Sequence, residues 1–368
     1  MNYFWNLFKN ADKTLLLLPV VFAAISIVMV GSTSFNGSFT ITRDLTVQTA
    51  AYILGFIAMG LLLTIDYKLF QGHERILYVA SILFLLTVYI PGLGVEQYGA
   101  RSWINLGVTT FQPSELVKIT FVILNASYLS RNRETLTDLK GIMMSILYAA
   151  PFILIILKED LGSAIVFCAM WVAMVFFAGI DYKIFGKFAA LFLLALPIVY
   201  RFMASHQKER IDAFLHPDNL SLAGNYQVWQ SKVAIGSGGF FGKGLFHGTQ
   251  KELDFLPVQK SDFIFSVIIE ELGMIGGIVL ISLYTVFLYR ILKVARDAID
   301  LYGALIAIGF IGMFGFQIFE NIAMAMGIMP VTGITLPFIS YGGSSIVANM
   351  LALGLILNVG MRSKLINF

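Results

Sequence analysis

Ten apolar runs set the terms for this chain: residues 14–31, 46–65, 76–92, 113–130, 141–157, 161–180, 186–203, 263–289, 301–325 and 344–361. Their lengths cluster around the ~20 residues that a helix needs to cross the hydrocarbon core of a bilayer. Apolar residues make up 58% of the 368 and charged residues only 13%, against about 25% charged in a water-soluble domain. Ten spans and one long connection, 204–262, account for the length. The expectation is an all-α polytopic membrane protein. It is a single integral-membrane domain over 1–368, with ten transmembrane helices and a large loop, 204–262, between the seventh and eighth. The first run has no small-residue cleavage pattern after it and reads as a retained span, not a signal peptide. The single cysteine, Cys168, lies inside an apolar run and has no intrachain disulfide partner.

Charge orients the spans. With the N-terminus inside, Lys9, Lys13, Lys68, Arg75, Arg131, Arg133, Lys140, Lys183, Lys187, Arg290, Lys293, Arg296, Arg362 and Lys364 fall on one side, and the short loops opposite hold only Arg43, Arg101 and Lys158. The excess of bases marks the cytoplasmic side, so both termini are expected in the cytoplasm and 204–262 outside. The net charge of +3 comes from bases scattered between spans, which excludes a nucleic-acid patch. The aromatic start MNYFWNLFK, beside Lys9, reads either as an interfacial segment or as an unstructured one.

Ionisable side chains are costly inside a membrane, so each is a candidate for function. Glu115 and Lys118 enter with the fourth span, three residues apart on one helical face. Asp160 opens the sixth span after a tight charged turn, Lys158-Glu159-Asp160, and Asp262 ends the long loop and opens the eighth. Arg101 sits in the outer loop GARSWINLG. Each has a structural alternative: a packing ion pair for Glu115 and Lys118, helix N-caps for Asp160 and Asp262, and a loop or lipid-phosphate contact for Arg101. Glu270, Glu271 and Glu320 lie deeper, where Lys118 is the only base expected at comparable depth. They read as packing contacts or as a proton relay.

Two glycine-rich stretches stand out. Residues 223–250 hold seven glycines, which read either as a flexible connection or as backbone that turns its N–H groups toward an anion, where Lys243 and nearby Lys251 could meet phosphate. Across 204–262 basic and acidic residues balance at six each. Residues 327–345, GIMPVTGITLPFISYGGSS, are uncharged and rich in Gly, Pro, Ser and Thr. Irregular backbone at membrane depth must be buried in protein or line a cavity, which makes Ser340, Tyr341, Gly342 and Gly343 candidate substrate contacts. No P-loop, D-x-D pair, HExxH or GxSxG is present, so neither a nucleotide cofactor nor a zinc site is expected.

The segments GARSWINLG (99–107), FQPSELVK (111–118), EDLGSA (159–164), NYQVWQSKVAIGSGGFFGKGL (225–245), GTQKELDFLPVQKSDFIFSVIIEELG (248–273) and MPVTGITLPFISYGGSS (329–345) together resemble the SEDS (shape, elongation, division and sporulation) family. GTQ followed by FLP is closer to its RodA branch than to its FtsW branch. Lys158-Glu159 stand where the family commonly has Gln-Pro, and Val258-Gln259-Lys260 where Glu and His are common. The resemblance implies a GT-C-like fold in the bacterial cytoplasmic membrane. It implies a peptidoglycan glycosyltransferase that polymerises lipid II, an undecaprenyl-pyrophosphate-linked precursor, among membrane lipids, with a class B penicillin-binding protein as partner. It gives Asp262 the essential acid's place and makes Glu115, Lys118, Asp160 and Arg210 functionally important.

On that footing Asp262 acts as general base or holds a divalent cation, Mg²⁺ or Mn²⁺, against the pyrophosphate. Lys118, Arg101, Arg210 and the Gly236–Gly244 backbone are candidates to meet the leaving diphosphate. Two other classes stay open at this stage: a flippase for the lipid-linked precursor, since broken helices and buried charges also describe transporters, and a non-catalytic scaffold for the penicillin-binding protein.

Overall fold

A computed structural model of the protein describes residues 9–35, 41–97, 100–105, 107, 110–181, 183–187, 190, 194, 197, 200–201, 203–222, 224–252 and 255–363. The chain is mostly helical: α1 (Lys13–Thr33), α2 (Arg43–Thr64), α3 (Glu74–Leu86), α4 (Pro113–Arg131), α5 (Leu139–Glu159), α6 (Leu161–Ala178), α7 (Ser205–Leu215), α8 (Asn225–Gly238), α9 (Ile264–Arg296), α10 (Leu301–Ala325) and α11 (Gly343–Ser363), with some single turns between them. Among the described residues seven of these, α1, α2, α5, α6, α9, α10 and α11, are long and apolar enough to cross a membrane. The helix α3 is too short by itself, and α4 carries Glu115 and Lys118. The expected seventh span, 186–203, and the aromatic N-terminal segment lie mostly outside the described residues.

Capping chemistry sets several helix starts. Asp12 accepts from Thr14 and Leu15 N–H (2.8 and 3.2 Å), Thr42 Oγ1 from Leu45 N–H (3.3 Å) and Asp300 Oδ1 from Gly303 N–H (2.7 Å). The last contact, with Lys68 and Tyr67 beside it, holds Asp300 below the usual carboxylate range against the opposing pull of burial. Inside the bundle α11 packs along α2, and α10 lies between α6, α9 and α4.

The all-helical expectation needs one correction. Residues 94–111 form a three-stranded antiparallel sheet, β1 (Gly94–Gln97), β2 (Ala100–Asn105) and β3 (Thr110–Phe111), in the order β1-β2-β3. Val95 pairs with Trp103 and Ile104 with Phe111. The segment expected as the loop GARSWINLG thus supplies the middle strand, which carries Arg101.

Within the uncharged run 327–345, residues 336–340 are buried in protein while Ile328 and Gly333 are exposed, and the buried backbone accounts for itself. Pro337 O accepts from Tyr284 Oη of α9 (2.6 Å), Phe338 O from Tyr52 Oη of α2, Ile339 O from Ser26 Oγ of α1 (2.7 Å) and Ser340 O from Gln48 Nε2 of α2 (3.1 Å). Each such carbonyl left unpaired would cost ~1–3 kcal/mol. The Phe338 ring stacks on Phe22 (5.6 Å between centroids) and Phe314 (5.5 Å) and meets Phe287 edge-on (5.5 Å). Three helices therefore grip four consecutive residues from the main-chain side while aromatic packing fixes the side chain.

The helix α9 is broken at Gly273 (φ 71°, ψ −173°), and the strap 238–244 repairs the break. Lys243 and Gly244 N–H donate to the Glu270 and Glu271 carbonyls (2.9 and 3.0 Å), and Met274 and Ile275 N–H donate to the Gly239 and Phe240 carbonyls (2.9 and 3.3 Å). The approach is so close that a Cβ on Gly273 would stand 2.3 Å from Phe240 O and 2.4 Å from Gly242 N. Gly273→Ala carries both this clash and a left-handed backbone, a conformation that alone costs ~1–3 kcal/mol outside glycine. The variant is expected to melt below the parent protein in detergent, read by intrinsic fluorescence; an unchanged midpoint would contradict the packing described.

Candidate functional site

Asp262 ends a turn in which Ser261 and Asp262 N–H both bond Val258 O (3.2 and 3.1 Å), and Val258 holds the left-handed φ of 56° that β-branched residues resist. The main chain beneath the carboxylate is fixed at three successive carbonyls. Lys260 O accepts from Tyr341 N–H (2.8 Å), Ser261 O from Ser340 Oγ, and Asp262 O from Asn321 Nδ2 (2.9 Å). Phe263, not Asp262, caps α9, and without a side-chain bond. The Asp262 carboxylate is half-buried and spends no oxygen on capping the helix it precedes.

Arg210, from α7, donates through Nη1 to Thr332 O (3.1 Å), and Thr332 Oγ1 donates to Glu320 Oε1 of α10 (2.9 Å). Exposed Gly333 lies between the acid and the base. A methyl built on it would stand 3.7 Å from Asp262 Oδ2 and 3.9 Å from Arg210 Nη1. Asp160 joins this group through the field it exerts on Asp262. Burial pushes the Asp262 carboxyl up to about 6, the Ser261 hydrogen bond and Arg210 pull it back, and Asp160 adds to the rise. Close to neutral pH such a group is poised to take a proton.

Asp160 caps α6 through Ser163 N–H (3.0 Å), and its Oδ2 accepts from Ser163 Oγ (2.7 Å) and Gln112 Nε2 (3.0 Å). Gln112 N–H in turn reaches Ser344 Oγ (3.4 Å), which ties the starts of α4, α6 and α11 together. Arg101 stands apart from Asp262: its N–H meets Glu159 Oε2 (2.9 Å) and its exposed side chain lines a small recess with Tyr89, Ser114, Glu159 and Asp160. Glu115 and Lys118 pair with each other at 2.7 Å, both buried.

The structure redistributes two basic candidates. Lys243 Nζ pairs with Glu270 Oε1 (2.8 Å), and Lys251 Nζ with Glu271 Oε1 (2.7 Å), so the deep acids of α9 draw their partners from the loop. Lys118 is therefore not the only base at that depth. Sequence reasoning missed both pairs because each joins residues 20 or more positions apart across an irregular segment. The N–H groups of Gly242, Lys243 and Gly244 are spent on Gly238, Glu270 and Glu271 carbonyls, which removes the expected diphosphate cradle there. Ser340, Tyr341 and Gly342 face 258–262 and α2 through main-chain bonds (Gly342 N–H to Gln48 Oε1, 3.2 Å), and Gly343 starts α11. Lys260, over the Tyr341 ring at 5.2 Å, pairs with Asp44. Gln112, Asn321 and Thr332 also went unnoticed; for Asn321 the available signal was an amide within an apolar span. Among the described residues no three His, Cys, Asp or Glu side chains gather to hold a metal ion. A divalent cation here would therefore lean on substrate oxygens beside Asp262.

The family profile of the cell cycle proteins FtsW, RodA and SpoVE matches residues 12–365. Stage V sporulation protein E of Bacillus subtilis (strain 168) is 35% identical over 365 residues, covering 96% of this chain and 98% of that protein. The peptidoglycan glycosyltransferase MrdB of Escherichia coli (strain K12) is 32% identical over 367 residues, with 99% and 97% covered. Among solved structures, a chain of a peptidoglycan synthase complex that coordinates polymerization and crosslinking superposes with a TM-score of 0.80 at 30% identity, covering 96% of this chain and 99% of that one. The rod shape determining protein RodA of Thermus thermophilus follows at 0.72 and 31%, covering 96% and 98%. With its broken helix, its buried irregular run and a match over nearly its whole length, the chain belongs to the FtsW, RodA and SpoVE family of multi-span membrane proteins, the SEDS family.

Proposed function

We propose that this chain is a peptidoglycan glycosyltransferase that polymerises lipid II into glycan strands at the outer face of a bacterial cytoplasmic membrane. The observation that carries the reading is a carboxylate poised near neutrality, Asp262, opposite Arg210 across exposed Gly333. Relatives named for the same reaction stand behind it. In this reading the acceptor sugar's 4-hydroxyl attacks the anomeric carbon of the donor. Asp262 takes the hydroxyl proton as the new C–O bond forms, and undecaprenyl diphosphate leaves with the electron pair of the broken bond, inverting the centre. Arg210 is the base best placed for the departing charge, with Arg101 nearer the rim; Lys118 and Lys243 contribute less because Glu115 and Glu270 neutralise them. Asp160 and Glu115 orient sugar hydroxyls, and Ser340, Tyr341, Gly342 and Gly343 form the floor under the acid. In the alternative role Asp262 and substrate phosphates would instead hold a Mg²⁺ or Mn²⁺, which would supply charge neutralisation.

The same reading makes the chain one integral-membrane unit of ten spans, GT-C-like, with both termini in the cytoplasm and 204–262 outside. A class B penicillin-binding protein is its partner for crosslinking, in an elongation role. Purified protein with lipid II in detergent, where no sidedness exists, is expected to yield glycan polymer on a gel. A flippase would leave lipid II as monomer, and that result would overturn the proposal.

A further inference from the structure

Two consecutive side chains of α10 reach the candidate site from within the bundle without touching the expected position of substrate. Asn321 is fully buried, and its single amide nitrogen donates to Asp262 O (2.9 Å) and Ile334 O (2.8 Å) at once. Glu320, also buried, accepts from Thr332 Oγ1, and the Thr332 carbonyl accepts from Arg210. From this geometry we infer that Asn321 and Glu320 are positioning residues: Asn321 clamps the turn carrying Asp262 to the 332–334 segment, and Glu320 fixes the carbonyl on which Arg210 rests. The inference rests on the glycosyltransferase reading above.

The hydrogen-bond ledger of Asn321 argues against a generic packing role. Its amide oxygen is buried with no hydrogen-bond partner among the described residues, which costs ~1–3 kcal/mol. Both acceptors are main-chain carbonyls, so the amide orientation is set by chemistry: only the nitrogen can face them. The residue thus leaves its own oxygen unpaired while both donors serve the two segments that flank the Asp262–Arg210 opening. Glu320 behaves alike, with one oxygen on Thr332 and the other unpartnered. Displacement of a reacting group by about 1 Å can cost on the order of 10²-fold in rate, so a clamp of two bonds bears directly on turnover.

The test measures lipid II polymerisation by purified variants in detergent, with kcat and KM separated and the folded fraction set by monodisperse gel filtration. Asn321→Leu, which keeps the volume and removes both donors, is expected to lower kcat at least tenfold with KM within threefold of the parent. Asn321→Ser, which keeps one donor, falls between and serves if the leucine variant does not fold. Glu320→Gln retains an acceptor for Thr332 and is expected to keep at least half of kcat, whereas Glu320→Ala loses it. If folded Asn321→Leu and Asn321→Ser turn over like the parent, or if Glu320→Gln fails as badly as Glu320→Ala, the positioning roles are wrong. The parent protein, assayed alongside Asp262→Ala, separates the two levels: lipid II left as monomer by the parent would sink the glycosyltransferase reading, whereas polymer from Asp262→Ala would remove only the base role of that carboxylate, whatever Asn321 does.

Discussion

Purified Asp262→Asn is expected to form no detectable glycan from lipid II while remaining folded. Removing a general base typically costs ~10²–10⁴-fold in rate, and the amide keeps the shape of the side chain while losing its proton affinity. The loss follows from the arrangement around the carboxylate. Three hydrogen bonds hold its main chain, none of them using the carboxyl oxygens, so the substitution should leave Tyr341, Ser340 and Asn321 in place. The parent enzyme's pH profile carries the same signature. With the carboxyl titrating at about 6, the active, ionised form dominates above that pH, and the rate should fall about tenfold per unit below it. Stability moves the opposite way. The folded-state value lies above the ordinary 3.8, so this group favours the fold most under acid conditions, and that contribution is lost as pH rises through about 6. At pH 7.5 the neutral amide removes the cost of the buried charge, and Asp262→Asn is expected to gain ~1–3 kcal/mol. An inactive yet more heat-resistant variant would separate a catalytic carboxylate from a structural one. Normal polymer length and yield from Asp262→Asn would end its assignment as the base.

Much of this was legible in the chain because hydrocarbon is an unforgiving solvent. Seven of the ten expected spans read directly from apolar length, and the place of Asp262 from a polar loop delivering one acid to the start of a span. Run 327–345 was readable as buried because Pro330, Pro337 and its glycines cannot satisfy themselves in lipid; which groups would satisfy it, Tyr52, Tyr284, Ser26 and Gln48, was not. The small sheet escaped because β3 is only two residues long and β2 sits in a stretch read as loop. The strap 238–244 escaped for another reason. Its glycines pointed equally to ligand binding, and only the break at Gly273 shows that their backbone groups complete a helix instead. Local pattern reports what a segment needs; partners distant in sequence are settled by three-dimensional closure.

The buried cluster at that break should dominate stability. Lys251 and Glu271 pair at 2.7 Å with side chains 1% and 0% exposed. Ser32 of α1 accepts from Lys251 (2.9 Å) and donates to Glu271 (2.6 Å to Oε1). Removing one partner leaves a charge with no water and one hydroxyl, and breaking a buried pair in this way costs ~3–5 kcal/mol. Lys251→Met and Glu271→Leu, each alone, are therefore expected to lower the melting midpoint strongly and to reduce recovery of folded protein. The double variant Lys251→Met/Glu271→Leu removes both charges and should recover most of the loss, since a well-packed apolar pair replaces a buried ion pair at little cost. The contrast matters because the cluster joins three parts of the molecule: α1 through Ser32, the broken α9 through Glu271, and through Lys251 the segment that runs on to Asp262. If the two single changes were additive in the double variant, with no recovery, the pair would not be coupled. The anchoring around Lys251 would then come from the main-chain bonds at Gly273 and the contacts of Lys243 and Gln250 with Glu270.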